Sequence, residues 1–483
     1  MIKHLIHVRI VMVLEDTSME QIKEKKKKNF LDRYFKITEK GSTIGKELLG
    51  GLIVFLAMLY ILPVNTNILS DTGMSSGAVF AATAICSAIC TIFMGVFSKY
   101  PVALSAGMGM NAFIAYTVCG TLGYTWGESL TLIFFAGVLF FILTLTPLRE
   151  KIINAIPQSL KYAISAGLGA FICFVGLKMG GIVASSESTL VELGDLSNPT
   201  VLLGLFGIIL VLVLLTCKNA LIKKLAIVIA MVSVAIIGLI LGLCNVPGMP
   251  SFSNTNLGSV SEIKDTFGQC FNAKNLKVLG DFKSYAIMFS LIFVNLFDTT
   301  ATLLAVGKEA GMLNEKGELV DGKKAMLADA GGAFICGILG TSTVTSFAES
   351  TIGVESGART GLSATFTGLL FALTILIFPA FSIFMPINGL TPITSLALVA
   401  VGAMMFSNLK QLEWENKIIV FASFITVIMM LLTYSVSDGL GLGLITYSLM
   451  MIFAGKGKEV HPFVYGISAF FVLNYVLSTT VFK

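Results

Sequence analysis

The strongest constraint on this chain is a series of apolar runs, most of them close to the length that crosses a bilayer. A spanning helix needs about 20 apolar residues. A backbone in hydrocarbon must satisfy its own hydrogen bonds, which leaves helices for runs of this kind. We read Leu48–Leu69, Gly77–Phe97, a short Pro101–Val118, Ser129–Leu148, Leu160–Leu177, Val201–Cys217 and Leu225–Leu243 as a first series. A polar stretch follows from Asn245 to Phe282. The second series is Tyr285–Val306, Ala325–Leu339, a short Thr341–Val354, Leu362–Met385, Thr394–Phe406, Ile418–Leu432 and Leu440–Ala454. That makes about fourteen segments in two sets of seven. Only 13% of residues are charged and 55% are hydrophobic, against roughly 25% charged in soluble domains. The expected fold class is an all-α polytopic membrane protein. Phe463 to Leu477 is a further apolar stretch, either an extra span or an interfacial helix.

Charge placement orients the series. Arg149/Lys151, Lys218/Lys223/Lys224, Lys308/Lys323/Lys324, Arg359, Lys410/Lys417 and Lys456/Lys458 all follow even-numbered spans. Cytoplasmic loops carry the excess of Lys and Arg, so residues 1–46 form a cytoplasmic tail and 245–282 an extracytoplasmic loop. Met1 to Val13 has no small-residue cleavage site and is not read as a signal peptide. Met19 opens a more typical cytoplasmic start, and the first 18 residues read as an upstream extension. The lysines from Lys23 to Lys28 supply much of the net charge of +5, which is no nucleic-acid signal. None of the eight cysteines forms a CxxC pair; Cys244 and Cys270 flank one polar loop and could pair. His4, His7 and His461 lie near the chain ends, which removes a histidine metal site from the membrane core.

An odd number of spans per set turns the second set upside down. In each set the third segment is short, polar and glycine-rich, and paired interrupted segments point to a site built from an inverted repeat. In Pro101–Val118 the motif is SAGMGMNAFIAY, with Pro101, Gly107 and Gly109 disfavouring a helix before Met110. A half-helix starting there aims free backbone N–H groups at the centre, with Asn111 at the mouth. The competing reading makes Asn111 a cap or an interhelical contact. In Thr341–Val354 the motif TSTVTSFAES places Glu349 and Ser350 after an extended stretch. A carboxylate at membrane depth faces a protein interior or a watery cavity; the competing partners are Arg359 and Lys178. Asp298, in NLFDTT of the segment Tyr285–Val306, shares a helix face with Asn295 three residues earlier. It is a candidate for substrate or proton binding, against a packing contact satisfied by Thr or Asn. Asp329 is left open between function and a helix contact.

The motifs GMGMNAF, NLFDTTATLLAV and TSTVTSFAES–GARTG together resemble the AzgA-like purine-base permeases, the adenine/guanine/hypoxanthine branch of the nucleobase–cation symporter-2 group within the xanthine/uracil permease family. The resemblance runs from about Phe35 to the chain end. It implies a fourteen-helix inverted repeat with a core (residues 47–148 and 283–386) and a gate (149–244 and 387–455), leaving 456–483 as a C-terminal apolar segment. It also implies proton-coupled uptake of a purine base, with guanine and hypoxanthine favoured and adenine second, by an elevator-like movement. The family's polar positions fall on Asn111, Asp298 and Glu349. The expected substrate site is Asn111, Ala112, Phe113, Asp298, Thr345, Phe347, Glu349 and Ser350, with proton coupling at Asp298 and Glu349. Departures are Asn295 where the branch usually has Asp, Ala301 where Gly is common, and Ala358 before Arg359. The partners implied are a purine base, a proton, the lipid bilayer and a second copy of the chain, in the plasma membrane. No cofactor is expected. A channel or anion exchanger of similar fold is the second reading, although such a carrier calls for basic residues at the paired half-helices. No HExxH or GxxxxGK[ST] motif supports an enzyme.

Overall fold

A computed structural model of the protein describes residues 29–147, 149, 155–186, 188–250, 259–314 and 319–480. The basic run at Lys23–Lys28 and the start expected at Met19 lie outside them. Eight described helices are long and apolar enough to cross a membrane.

A short helix α1 (Phe30–Phe35) precedes the first series. That series is α2 (Ile44–Ser70), α3 (Ser76–Ser98), a strand β1 (Leu104–Ala106) running into α4 (Met108–Ala112), then α5 (Trp126–Leu145), α6 (Gln158–Met179), the hairpin β2–β3 (Val183–Ser186, Leu190–Leu193), α7 (Pro199–Leu215) and α8 (Ala226–Leu243). The second series is α9 (Phe282–Glu309), α10 (Gly322–Leu339), β4 (Val344–Ser346) with α11 (Ser350–Glu355), α12 (Gly361–Phe384), α13 (Ser395–Phe406), α14 (Lys417–Leu432) and α15 (Val436–Phe453). A last helix α16 (Pro462–Thr480) covers the leftover apolar stretch and packs against α15 and α9.

Local chemistry sets these boundaries. Thr125 and Glu128 form a reciprocal capping box at the start of α5. α2 is broken at Leu59–Tyr60. Pro63 has no N–H for the carbonyl of Leu59, so the helix kinks there. α12 tightens to a 3₁₀ coil from Thr374, with Pro379 inside that stretch. α4 widens into a π-type coil through Phe113–Thr121.

The packing repeats when the two series are exchanged. α12 lies along α3 as α5 lies along α10, and α12 along α2 as α5 along α9. Likewise α7 packs on α8 as α14 on α15, and α7 on α13 as α14 on α6. β1 and β4 pair antiparallel, with Leu104 opposite Ser346, Ser105 opposite Thr345 and Ala106 opposite Val344. The third segments of the two series therefore enter the middle from opposite directions, which is the inverted repeat expected from two sets of seven.

Three details differ from the expectation, and the two loop cysteines are unpaired. α4 starts at Met108, two residues before the predicted start, because Gly107 takes an extended conformation that ends the strand and opens the helix. The loop from Asn245 carries short helical turns that fold back on the bundle: the Gly268 N–H donates to the Ile338 carbonyl at 2.7 Å, and Thr131 Oγ1 to the Cys270 carbonyl at 3.2 Å. Cys244 is exposed, Cys270 is buried, and both are free thiols. Arg149, read as a loop cation, is buried at 2% exposure against the ring of Phe140.

Candidate functional site

The two broken segments are built around each other. Beyond the three paired residues, Gly107 N–H donates to the Thr343 carbonyl and Phe347 N–H to the Ala103 carbonyl, each at 3.0 Å. Ser350 Oγ accepts from the Ala103 N–H at 3.0 Å. Thr91 Oγ1 both donates to the Leu104 carbonyl and accepts from the Leu104 N–H, each at 2.9 Å. Non-helical backbone at membrane depth is thus satisfied by protein. A Cβ on Gly107 would stand 2.7 Å from Thr345 Cγ2, so glycine is what lets the two segments meet.

Asp298, on α9, accepts from Thr345 Oγ1 at 3.1 Å. It is half-buried, and its neighbour along the helix face, Ala301, is exposed. Glu349 occupies the position before α11, makes no side-chain capping bond and is also half-buried, beside exposed Ala348. Its Oε1 accepts from the hydroxyl of Tyr60 at 2.6 Å. Asp298 lies within electrostatic reach of both Glu349 and Asp329. The two carboxylates selected from sequence therefore lie near one another, each beside an exposed alanine.

Behind them lies a fully buried layer. Asp329, on α10, accepts from Thr299 Oγ1 at 2.8 Å and from Ser346 Oγ at 2.9 Å, so it ties α9 to β4. Thr299 Oγ1 stands 3.3 Å from both Asn295 Oδ1 and Thr345 Oγ1. Asn295 thus serves this rear network, whereas Asp298 is half-buried and bonded to Thr345. The Arg149 guanidinium is within electrostatic reach of Asp329 and donates to Thr144 Oγ1 at 3.2 Å.

Asn111 is fully buried, where the sequence placed it at the mouth. Its Oδ1 accepts from the hydroxyl of Ser342, and its Nδ2 has no hydrogen-bond partner among the described residues. Buried amide nitrogens left without a partner are uncommon. Ala112, Phe113, Thr345, Phe347 and Ser350 are all buried around the strand pair. The alternative partners for Glu349 are engaged elsewhere: the Arg359 guanidinium donates to the carbonyls of Val354 and Ala358, and the Lys178 ammonium lies 5.2 Å from the ring centre of Tyr434. Tyr60 was not singled out from sequence. Its only signal is a tyrosine three residues before a mid-span proline.

A model of the permease family matches residues 45–481. The guanine/hypoxanthine permease PbuG of Bacillus subtilis is 39% identical over 453 residues, covering 92% of this chain and 99% of that protein. The adenine permease AdeQ of Escherichia coli is 35% identical over 447 residues, covering 92% of this chain and 96% of its own length. Among solved structures, the transmembrane domain of a cyanobacterial bicarbonate transporter, BicA, superposes with a TM-score of 0.56 at 15% identity, covering 83% of this chain and 97% of that domain. At that identity the likeness concerns the fold alone. Sequence, architecture and relatives agree that this chain is a multi-pass membrane transporter belonging to the xanthine/uracil permease family.

Proposed function

We propose that the protein imports purine nucleobases by proton symport, with guanine and hypoxanthine ahead of adenine. The observation that carries this reading is the pair of half-buried carboxylates, Asp298 and Glu349, at the crossing of two broken segments. Relatives named as guanine/hypoxanthine and adenine permeases support the substrate class. An ionised carboxylate only accepts hydrogen bonds. Guanine offers N1–H and a 2-amino group side by side, and hypoxanthine offers N1–H. The unpartnered Nδ2 of Asn111 is a donor suited to a 6-oxo group. Adenine reverses that pattern, with an amino group at C6 and a bare N1. We assign the base to Glu349 and the proton to Asp298, the two titrating as a pair. Phe113 and Phe347 give a planar base apolar faces, Thr345 steadies Asp298, and Ala112 and Ser350 shape the crossing.

Desolvation explains the coupling. An unpaired buried charge is costly to move through a dry seam. With proton and purine bound the site is neutral and satisfied, so it crosses. The moving part is the core, 47–148 with 283–386, sliding against the gate, 149–244 with 387–455. Separable contacts between these parts support an elevator: Lys224 Nζ to Glu355 Oε2 at 2.7 Å, Thr117 Oγ1 to the Tyr434 carbonyl at 2.6 Å, and Ser290 Oγ to Ser437 Oγ at 2.7 Å. The setting is the plasma membrane with the N-terminus cytoplasmic, and the gate helices supply the interface of a homodimer. The fold shared with a bicarbonate transporter keeps a channel or anion exchanger as the second reading. It calls for cations where this site has carboxylates. Radiolabelled uptake into cells lacking their own carriers tests both. Saturable guanine and hypoxanthine uptake without bicarbonate or chloride uptake is expected; anion uptake without purine uptake would overturn the proposal.

A further inference from the structure

Glu349 is held from an unexpected direction. Pro63 breaks α2 at Leu59–Tyr60, and the break delivers the Tyr60 side chain to the crossing of the broken segments. The ring is only 2% exposed, and the hydroxyl donates to Glu349 Oε1 at 2.6 Å. A phenol has one proton to give, so it engages one carboxylate oxygen and leaves Oε2. The same ring lines an apolar cavity between α2, α12 and the gate helix α8, opposite Val228, Met231 and Val232. One side chain therefore touches both the carboxylate and the seam along which core and gate meet.

We infer that Tyr60 is a positioning residue for the substrate carboxylate: it fixes Oε1 of Glu349 and turns Oε2 toward the base. This rests on the assignment of Glu349 to purine binding. A free glutamate side chain has several rotamers, and only some aim an oxygen into the opening. A hydrogen bond from a donor locked by α2 selects among them, and one made to a charged acceptor is among the stronger kinds. Because Tyr60 lines the same cavity as α8 residues, displacement of the gate past α2 changes what faces Tyr60, which links the aim of Glu349 to the position of the core.

The test is a double-mutant cycle on the purified full chain, with guanine binding followed by calorimetry. Tyr60→Phe keeps the ring in the seam and removes only the hydroxyl, and its melting temperature is measured on the same samples. Tyr60→Phe is expected to weaken guanine binding on the order of tenfold. Added to Glu349→Ala it should weaken the remaining binding by no more than about twofold, because the acceptor is already gone. Equal effects in both backgrounds would overturn the proposal. A ligand-free arm uses infrared spectra of protein carrying ring-¹³C tyrosine. The C–O band abolished by Tyr60→Phe should shift in Glu349→Gln, and a band that stays in place would overturn the contact whether or not guanine binds. Wild-type protein that binds no guanine while that band shifts would sink the purine reading and leave the Tyr60–Glu349 link standing.

Discussion

Asp329 offers the prediction whose magnitude follows most directly from geometry. It is fully buried and receives two hydroxyl hydrogen bonds, from Thr299 at 2.8 Å and Ser346 at 2.9 Å. Hydrogen bonds to a charged group contribute about 1.5–3 kcal/mol each, so losing both amounts to about 3–6 kcal/mol. Asp329→Ala removes both acceptors, leaves Ser346 Oγ in a dry interior and releases β4 from α10. Thr299 loses less, since Asn295 Oδ1 stands 3.3 Å away as a second acceptor. Asp329→Asn keeps the shape. Its carbonyl still accepts from one hydroxyl, while its amide donates to Thr299, which then turns its own proton to Asn295. That rearrangement should cost about 1 kcal/mol or less. Thermal unfolding in detergent, followed by fluorescence-detected size exclusion, should therefore rank wild type just above Asp329→Asn and far above Asp329→Ala. An Asp329→Ala protein that melts with wild type, or an Asn variant less stable than the Ala variant, would refute the view that Asp329 pins β4.

Three further outcomes follow from the same contacts. Asn111→Asp and Asn111→Ala should both reach the membrane yet lose most uptake, since each removes the free amide donor; normal uptake by Asn111→Ala would reduce Asn111 to packing. Gly107→Ala places a methyl 2.7 Å from Thr345 Cγ2 and must displace either Thr345 itself or the segment that holds it against Asp298. Overpacking of this kind costs about 1–3 kcal/mol, so guanine uptake should fall while expression, read by blotting, is retained. In competition assays hypoxanthine should displace labelled guanine better than adenine does, and the reverse order would contradict the donor–acceptor assignment.

The architecture was legible because hydrophobic length and charge bias act locally. The two short polar segments stood out for the same reason, and Asp298 and Glu349 stood out as carboxylates in apolar runs. What the sequence concealed depends on contacts between distant residues. Asp329 sits in a small-residue helix stretch that suits a packing contact equally well, and only the fold places Thr299 and Ser346 around it. Pro101, Gly107 and Gly109 point to a helix start near Met110, which would put Asn111 at an open mouth. The actual start at Met108 and the bond from Ser342, 231 residues away, draw it into the interior. Tyr60 looks like one more apolar span position until the kink at Pro63 and the fold bring Glu349 to its hydroxyl. Arg149 reads as a loop cation by the charge rule, and its burial depends on α10 packing along α5.

The central claim is that a half-buried carboxylate makes purine movement depend on a proton. The direct measurement is labelled guanine accumulation in proteoliposomes with an imposed pH gradient, comparing wild type with Asp298→Asn, and guanine binding to both proteins in detergent. Asn is a permanently neutral mimic of the protonated acid. Wild type should concentrate guanine without sodium whenever the interior is the more alkaline side. Asp298→Asn should bind guanine but only equilibrate it. Uphill accumulation by Asp298→Asn equal to wild type would contradict the proton role of Asp298, and a sodium requirement in wild type would contradict proton coupling itself.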